Sequence, residues 1–218
     1  MESYKREFIQ FLENAGVLKF GDFTAKSGRK IPYFINAGMI KTGEDIAKLG
    51  EFYAKAYADK LGAKKAVLYG PAYKGISLAV SAAVALSKNG LNVPFFFNRK
   101  EIKDHGEGGV FVGYVPTAPE EVVIIEDVIT AGTAIRESMD ILSHLEGVKV
   151  AATFIMVNRK EKGQTDKGAM EEITEQFGFP VYSIVDVYDI IEYLEEDAAN
   201  AENVERIKKY LEVYGAKA

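Results

Sequence analysis

Two adjacent acids and a run of small residues follow a short apolar segment near the middle of the chain. The segment reads VVIIEDVITAGTAIRE, in which Glu126 and Asp127 come directly after four β-branched residues at 122–125. Neighbouring carboxylates can accept hydrogen bonds from the two hydroxyls of a diol. The small residues at 130–133 let backbone N–H groups approach an anion, and a helix that begins there favours a phosphate. This order of residues predicts a site for a sugar such as ribose 5-phosphate.

The same segment also has a plainer interpretation, as a strand, a turn and a capped helix of the kind found in many α/β proteins. Two features count against it. A buried strand that runs into adjacent Glu and Asp is costly unless the acids find partners, and Thr-Ala-Gly-Thr supplies more donors than a simple cap needs. The chain contains neither G-x-x-x-x-G-K-[ST] nor G-x-G-x-x-G after a strand, which excludes a P-loop and disfavours a Rossmann cofactor site.

The elements that position this segment are predicted by hydrophobic periodicity and turn residues. Apolar runs alternate with amphipathic stretches after residue 43, which predicts βαβ units, an α/β fold and a mostly parallel sheet. The predicted strands after that point lie at 66–69, 93–97, 110–115, 122–125, 148–157 and 181–185. The predicted helices lie at 4–15, 43–61, 76–87, 133–145, 169–177, 188–196 and 200–213. The first forty residues lack this rhythm and are expected to form a small cap.

Length and composition limit the class of protein. The 218 residues fit one domain, and the absence of cysteine excludes disulfides, thiolate metal sites and cysteine nucleophiles. The charged N-terminus does not read as a secretory signal, and the apolar run at 76–86 is too short to cross a bilayer. The formal net charge of -5 disfavours a nucleic-acid partner. A cytoplasmic protein without membrane or nucleic-acid partners is expected.

Four segments occur in one order and together resemble a known family. They are FGDFTAKSGRKIPYFINAG, GPAYKG, NRKEIKDHGEGG and EDVITAGTAIRE. From about residue 4 to residue 195 the chain resembles the type I phosphoribosyltransferases, in particular orotate phosphoribosyltransferases of the bacterial and fungal kind. The resemblance implies a single domain, 1–218, with a five-stranded, mostly parallel sheet flanked by helices. A hood would be formed mainly by 1–40 with part of the C-terminal region, and the enzyme would be a homodimer.

The resemblance also implies a reaction. The 5-phosphoribosyl group would pass from phosphoribosyl pyrophosphate (PRPP) to orotate, giving orotidine 5′-phosphate and pyrophosphate in pyrimidine biosynthesis. Mg²⁺ would be the cofactor, carried by PRPP rather than held by protein ligands. The PRPP motif would comprise Glu126, Asp127, Val128, Ile129, Thr130, Ala131, Gly132, Thr133 and Ala134. The family often has two aspartates where this chain has Glu126 and Asp127, and Asp127 is expected to be the more important catalytic acid.

Cations cluster at Arg99, Lys100, Lys103 and His105, beside three glycines. A solvated surface loop is the usual meaning of such a run. The alternative is a mobile lid over about 99–110, whose cations meet the pyrophosphate and stabilise the charge that gathers on it as it leaves. By resemblance, all four residues bind PRPP, Lys103 is catalytic, and Lys100 reaches into the partner subunit's site.

Two further groups of residues are assigned by the resemblance. Tyr73 and Lys74, in the loop GPAYKG, would contact PRPP, although an ordinary βα turn explains their residue types equally well. Lys26, Phe34, Ile35, Thr130 and Arg159 would bind orotate, with Lys26 near both substrates. A guanidinium can grip the orotate carboxylate with two hydrogen bonds. The family commonly has an aromatic residue where this chain has Ile35, so a stacking contact there would be lost.

Two rival functions remain open at this point. One is a transferase of the same fold that uses a purine or another base, which the hood, the lid and Arg159 disfavour. The other is a non-catalytic regulator that senses PRPP and binds nucleic acid, which the net charge of -5 disfavours. The two histidines, His105 and His144, form no metal motif, so no protein-held metal is expected.

Overall fold

The computed structural model describes residues 1–25, 28–103 and 109–216. The strands are β1 Leu18–Thr24, β2 Lys30–Ile35, β3 Val67–Gly70, β4 Phe95–Lys103, β5 Gly109–Gly113, β6 Glu121–Ile125, β7 Lys149–Asn158 and β8 Val181–Asp186. The helices are α1 Ser3–Asn14, α2 Gly43–Leu61, α3 Lys74–Lys88, α4 Thr133–Leu142, α5 Ala169–Phe177, α6 Val187–Leu194 and α7 Ala201–Tyr214. The predicted order of strands and helices is confirmed.

The main sheet has the strand order β5-β4-β3-β6-β7-β8. The neighbouring pairs β4-β3, β3-β6, β6-β7 and β7-β8 are parallel, whereas the edge strand β5 runs antiparallel to β4. The α/β class and the mostly parallel sheet are therefore confirmed. The carboxyl ends of the parallel strands share one edge, which is where ligands bind in open α/β sheets.

The expectation of five strands was wrong, because the main sheet has six. The sixth strand is β5, which pairs with β4 at the antiparallel edge of the sheet, and β4 itself continues beyond 97 to Lys103. Hairpins of this kind need no crossover helix. Part of the cationic segment, including Arg99 and Lys100, therefore belongs to a strand rather than to a loop.

Strand β6 is buried on both faces, as its β-branched composition predicted. Val123 and Ile125 belong to a large core shared with α1, α2, α3, α6 and α7. Val122 and Ile124 face a smaller core with α4 and α5. Because successive side chains alternate across a sheet, these four residues of β6 hold the two helical layers together.

The N-terminal hairpin of β1 and β2 forms a separate two-stranded sheet. Buried Tyr33 of β2 packs edge-on against Tyr210 of α7, with ring centroids 6.3 Å apart. Arg29 lies over the rings of Tyr210 and Tyr214 at 5.6 and 5.0 Å. The hairpin is thus attached to the body of the protein through the last helix, and its position depends on these aromatic contacts.

Helix α2 begins where its cap predicted. The hydroxyl of Thr42 accepts a hydrogen bond from the backbone N–H of Asp45 at 3.1 Å, which satisfies one of the free donors of the first turn. The helix lies close to α3, since a Cβ added at Gly50 would collide with the backbone carbonyl of Ser81. The contact between these two helices therefore requires glycine at this position.

Gly50→Ala should lower the free energy of unfolding by about 1 to 3 kcal/mol, because the methyl group forces the two helices apart. Chemical denaturation followed by circular dichroism measures the change. Gly43→Ala is the matched control, since nothing lies within 4 Å of its added Cβ at the start of the same helix. Equal stability of the two variants would contradict the close contact.

Candidate active site

The two acids that follow β6 are fixed by their backbone. The N–H of Glu126 donates to the carbonyl of Phe154 at 3.0 Å, and the carbonyl of Asp127 accepts from the N–H of Met156 at 2.8 Å. The hydroxyl of Tyr53 donates to the carbonyl of Glu126 at 2.6 Å. Both acids are therefore held at the carboxyl edge of the sheet by β7 and α2.

Glu126 is only 7% exposed, and Oε1 of its carboxyl accepts a hydrogen bond from the backbone N–H of Asp127 at 3.0 Å. Burial raises the pKa of Glu126 to about 8, with the nearby charge of Asp127 acting in the same direction and that hydrogen bond opposing it. The carboxyl of Glu126 is thus mainly protonated at neutral pH. In that form it can donate a hydrogen bond as well as accept one.

Asp127 has a different environment. Its Oδ1 accepts from the backbone N–H of Val128 at 2.7 Å, and its Oδ2 accepts from Nζ of Lys74 at 2.9 Å. The ion pair brings the loop before α3 against the loop after β6. Two predicted PRPP contacts that lie 53 positions apart are therefore neighbours in the fold.

The loop after β6 leads into an open helix end. Gly132 has φ of +74°, in the left-handed region that favours glycine, and no side chain caps α4. The N–H groups of its first turn are available to a ligand, as a phosphate site requires. Thr130 and Thr133 are exposed beside them, and the loop lines a cavity of about 310 Å³. The guanidinium of Arg136 supports the loop from behind by donating to the carbonyl of Ala131 at 2.5 Å.

Two apolar members of the motif direct their side chains mainly into the protein core rather than toward a ligand. Ile129 is buried in the smaller core, and Val128 packs against the larger one. Their backbone groups can still face a ligand. Ala134 is exposed at the start of α4.

The loop before α3 is tied to β4 by one buried amide. Oδ1 of Asn98 accepts from the hydroxyl of Tyr69 at 2.8 Å and from the N–H of Ala72 at 3.0 Å. The next residue, Tyr73, is 70% exposed, and no side chain caps α3. Asn98 also lines a cavity of about 530 Å³ with Arg99, Lys100 and Glu126, among others. Glu126 is common to this cavity and to the one at α4.

The cations of β4 are placed differently from one another. The guanidinium of Arg99 donates to the carbonyls of Gly109 and Phe111 at 3.1 and 3.3 Å, so it links β4 to β5. Nζ of Lys100 lies 5.1 Å from the ring centroid of Tyr73. The side chain of Lys103, together with Lys26 and His105, lies outside the described residues.

Three of the residues assigned to orotate, namely Phe34, Ile35 and Arg159, lie in or beside the N-terminal hairpin. The guanidinium carbon of Arg159 is 5.2 Å from the ring centroid of Tyr33, which precedes Phe34 in β2. Phe34 is 42% exposed and stacks on Phe23 at 5.4 Å, whereas Ile35 packs against the large core. The fold thus brings the hairpin and Arg159 together.

Three positioning residues escaped the sequence analysis: Tyr53, Asn98 and Arg136. A signal existed for Asn98, since it follows the apolar FFF of β4 at the active edge. Tyr53 gave no signal, because its hydroxyl acts from the middle of an amphipathic helix.

Neither a metal centre nor a membrane anchor emerges from the described ranges. Within them, no group of three or more His, Asp or Glu side chains is placed to hold a metal ion. Among the helices of residues 1–25, 28–103 and 109–216, none is long and apolar enough to span a bilayer.

The class of protein follows from the fold and from the comparison with known families. A family model described as "Phosphoribosyl transferase domain" matches residues 36–185. That range contains both uncapped helix ends and the acid pair. The chain therefore belongs to the phosphoribosyltransferase class.

Full-length relatives specify the family further. The chain is 49% identical to orotate phosphoribosyltransferase of Vibrio parahaemolyticus over 216 residues, covering 99% of this chain and all of the relative. The corresponding protein of Pseudomonas fluorescens is 47% identical with the same coverage. A solved orotate phosphoribosyltransferase structure from Francisella tularensis superposes with a TM-score of 0.85 at 37% identity, covering 96% of this chain and 99% of that chain. The chain belongs to the orotate phosphoribosyltransferase family.

Glu126→Gln should stabilise the substrate-free protein, and increasingly so as the pH rises. A folded-state pKa of about 8 against an unfolded value of about 4.5 means that ionising the buried carboxyl costs stability progressively across this window. Glutamine removes that cost, which reaches a few kcal/mol at high pH. Denaturant titrations from pH 5 to pH 9 measure it.

The exposed Glu146→Gln variant serves as the control for the loss of one carboxyl group. If the difference between Glu126→Gln and the parent protein stays constant over the whole pH range, the assigned protonation of Glu126 is wrong.

Proposed function

We propose that this chain transfers the 5-phosphoribosyl group of PRPP to orotate, giving orotidine 5′-phosphate and pyrophosphate in pyrimidine biosynthesis. One observation carries the proposal: the acid pair of buried Glu126 and partly buried Asp127 leads through residues 128–132 into the uncapped N-terminus of α4. Diol acceptors and phosphate donors are thereby placed in the order in which ribose 5-phosphate presents its groups. Membership of the orotate phosphoribosyltransferase family supports the choice of base.

The acids act on the ribose hydroxyls in this proposal. Asp127 accepts from a hydroxyl once Lys74 turns from it toward the phosphates, and the 2.9 Å ion pair keeps both side chains in position until then. Glu126 is mostly protonated before the substrate binds, and it has both donor and acceptor capacity for the second hydroxyl. As the bond between C1 of the ribose and the pyrophosphate breaks, an oxocarbenium-like sugar is stabilised by the charge of Asp127.

The 5-phosphate binds the N–H groups at Thr130–Ala134 and the hydroxyls of Thr130 and Thr133. The pyrophosphate lies in the second cavity, which Arg99 lines, against the loop before α3 that carries Tyr73 and Lys74. Mg²⁺ carried by PRPP would neutralise charge on the departing pyrophosphate. An ion bound mainly through substrate phosphates and water needs few protein ligands. Lys103 and His105 are proposed to complete the lid over this site.

The base is proposed to bind between the N-terminal hairpin and Arg159. The guanidinium pairs with the orotate carboxylate, and Phe34 covers the ring from the hairpin side. Ile35 contributes through its backbone, because its side chain packs into the core. Lys26 and Thr130 complete the contacts to orotate. The hairpin and the C-terminal helix together act as the hood.

The active form is proposed to be a cytoplasmic homodimer in which Lys100 serves the partner's site. Nζ of Lys100 already lies over Tyr73 at the mouth of the pyrophosphate cavity. A two-fold dimer that places two such mouths face to face would let each subunit supply one cation to the other.

Mixing the purified protein with orotate, PRPP and Mg²⁺ should consume orotate, followed by its ultraviolet absorbance. Product formation should require all three components. Adenine and uracil in place of orotate are the controls, and they should give turnover lower by orders of magnitude, because neither carries a carboxylate for Arg159. Absence of turnover with orotate, or equal turnover with adenine, would overturn the proposal.

Subunit mixing tests the role of Lys100. Lys100→Ala and Asp127→Asn should each be nearly inactive, but unfolding and refolding them together should restore about a quarter of the parent activity. Half of the two-fold dimers would then be mixed, each with one of its two sites intact.

Lys74→Ala mixed with Asp127→Asn is the matched control. These two residues contact each other within one chain, so neither site of the mixed dimer is complete and activity should stay low. If the mixture that contains Lys100→Ala recovers no more activity than this control, Lys100 acts within its own subunit.

A further inference from the structure

A buried ionic cluster lies between the N-terminal hairpin and the end of β7. Oε2 of Glu161 accepts from Nη2 of Arg29 at 2.8 Å, and Oε1 of Glu161 lies 2.6 Å from Nη2 of Arg159. The side chains of Arg159 and Glu161 are 12% and 9% exposed. Each oxygen of one carboxylate therefore faces a different guanidinium.

Tyrosine rings enclose this cluster. Arg159 lies over Tyr33, and Arg29 lies over Tyr210 and Tyr214. The C-terminal segment holds the backbone beside Glu161, since the carbonyl of Lys160 accepts from the N–H of Ala216 at 2.8 Å. The site is thus built from the hairpin, the end of β7 and the last helix together.

The cluster is incomplete as it stands. Its two guanidinium groups share one carboxylate, which leaves an excess charge of one. Among the described residues, the buried Nε atoms of Arg29 and Arg159 make no hydrogen bond, and neither do Nη2 of Arg159 and Oε1 of Glu161. The 2.6 Å approach of Arg159 to Glu161 is therefore a charge contact without hydrogen-bond alignment. Buried donors without partners are costly, and a second anion would relieve them.

We propose that Glu161 is a positioning residue for recognition of the orotate carboxylate. It acts in two ways: it orients the guanidinium of Arg159, and through Arg29 it fixes the hairpin that carries Phe34. This inference rests on the proposed role of Arg159 in binding orotate. A single carboxylate thereby links the hood to the residue that reads the base, and the substrate supplies the second negative charge.

Glu161→Gln keeps the shape of the side chain and removes its charge. The KM for orotate should rise about tenfold, whereas the KM for PRPP should change less than twofold, because Arg159 is left misoriented without affecting the phosphate loops. The affinity for uracil, measured as a competitive inhibitor, should change less than twofold, since uracil has no carboxylate and the amide oxygen of glutamine can still accept from Arg29. A merely structural loss would weaken both bases and PRPP alike, and that result would overturn the proposal.

Two further variants and one control variant distinguish a positioning role of Glu161 from a general loss of structure. In an Arg159→Lys background, Glu161→Gln should add little further rise in orotate KM, because the two residues act as one unit. Arg29→Gln should raise orotate KM in the same direction, and it provides the answer if Glu161→Gln fails to fold. Glu196→Gln removes an exposed ion pair with Arg6 and should leave all constants unchanged.

The outcomes separate this inference from the proposed function. If Arg159→Ala leaves orotate KM unchanged, the proposed role of Arg159 fails, and the inference fails with it. If Arg159→Ala raises orotate KM but neither Glu161→Gln nor Arg29→Gln does, only the inference is overturned.

Discussion

The arrangement of the site depends on burying two adjacent acids at the end of β6. A carboxylate removed from water must be paired, hydrogen-bonded or protonated, and the two acids meet this constraint differently. Asp127 accepts hydrogen bonds from the ammonium of Lys74 and from a backbone N–H. Glu126 is buried more deeply, and burial raises its pKa to about 8. Because their backbones are bonded to β7, neither acid can move away to escape the other.

Much of the surrounding structure serves this constraint. The parallel pairing of β6 with β7 fixes the direction in which the acids leave the sheet, and the hydroxyl of Tyr53 ties the same point to α2. The ion pair between Lys74 and Asp127 then draws the loop before α3 into place. Two helix ends without side-chain caps thereby face the same edge, and in the proposed function each of them binds one anion beside Glu126.

The sequence predicted the order of elements, the α/β class and the double-sided burial of β6, because those features follow from local periodicity and from four β-branched residues in a row. It also located the acid pair and the small residues before α4. The count of five strands came from the resemblance and was wrong, although hydrophobic periodicity had itself indicated six strands after residue 43; the polar residues 98–103 gave no sign that β4 continues through them. The cluster of Arg29, Glu161 and Tyr210 was not predictable, since its members come from distant parts of the chain and meet only after folding.

Asn98 illustrates how one amide constrains two movements. It accepts hydrogen bonds from Tyr69 and from the loop before α3, and it is part of the strand that leads toward the lid cations. Asn98 is therefore a common point of attachment. It joins the loop before α3, which would hold the pyrophosphate, to β4, which leads to the segment that would cover it. A ligand that fixes the loop before α3 would therefore also restrict the position of β4 at Asn98, and with it the direction in which the covering segment leaves that strand. A leaving group held in this way would itself help to select the closed geometry in which it departs.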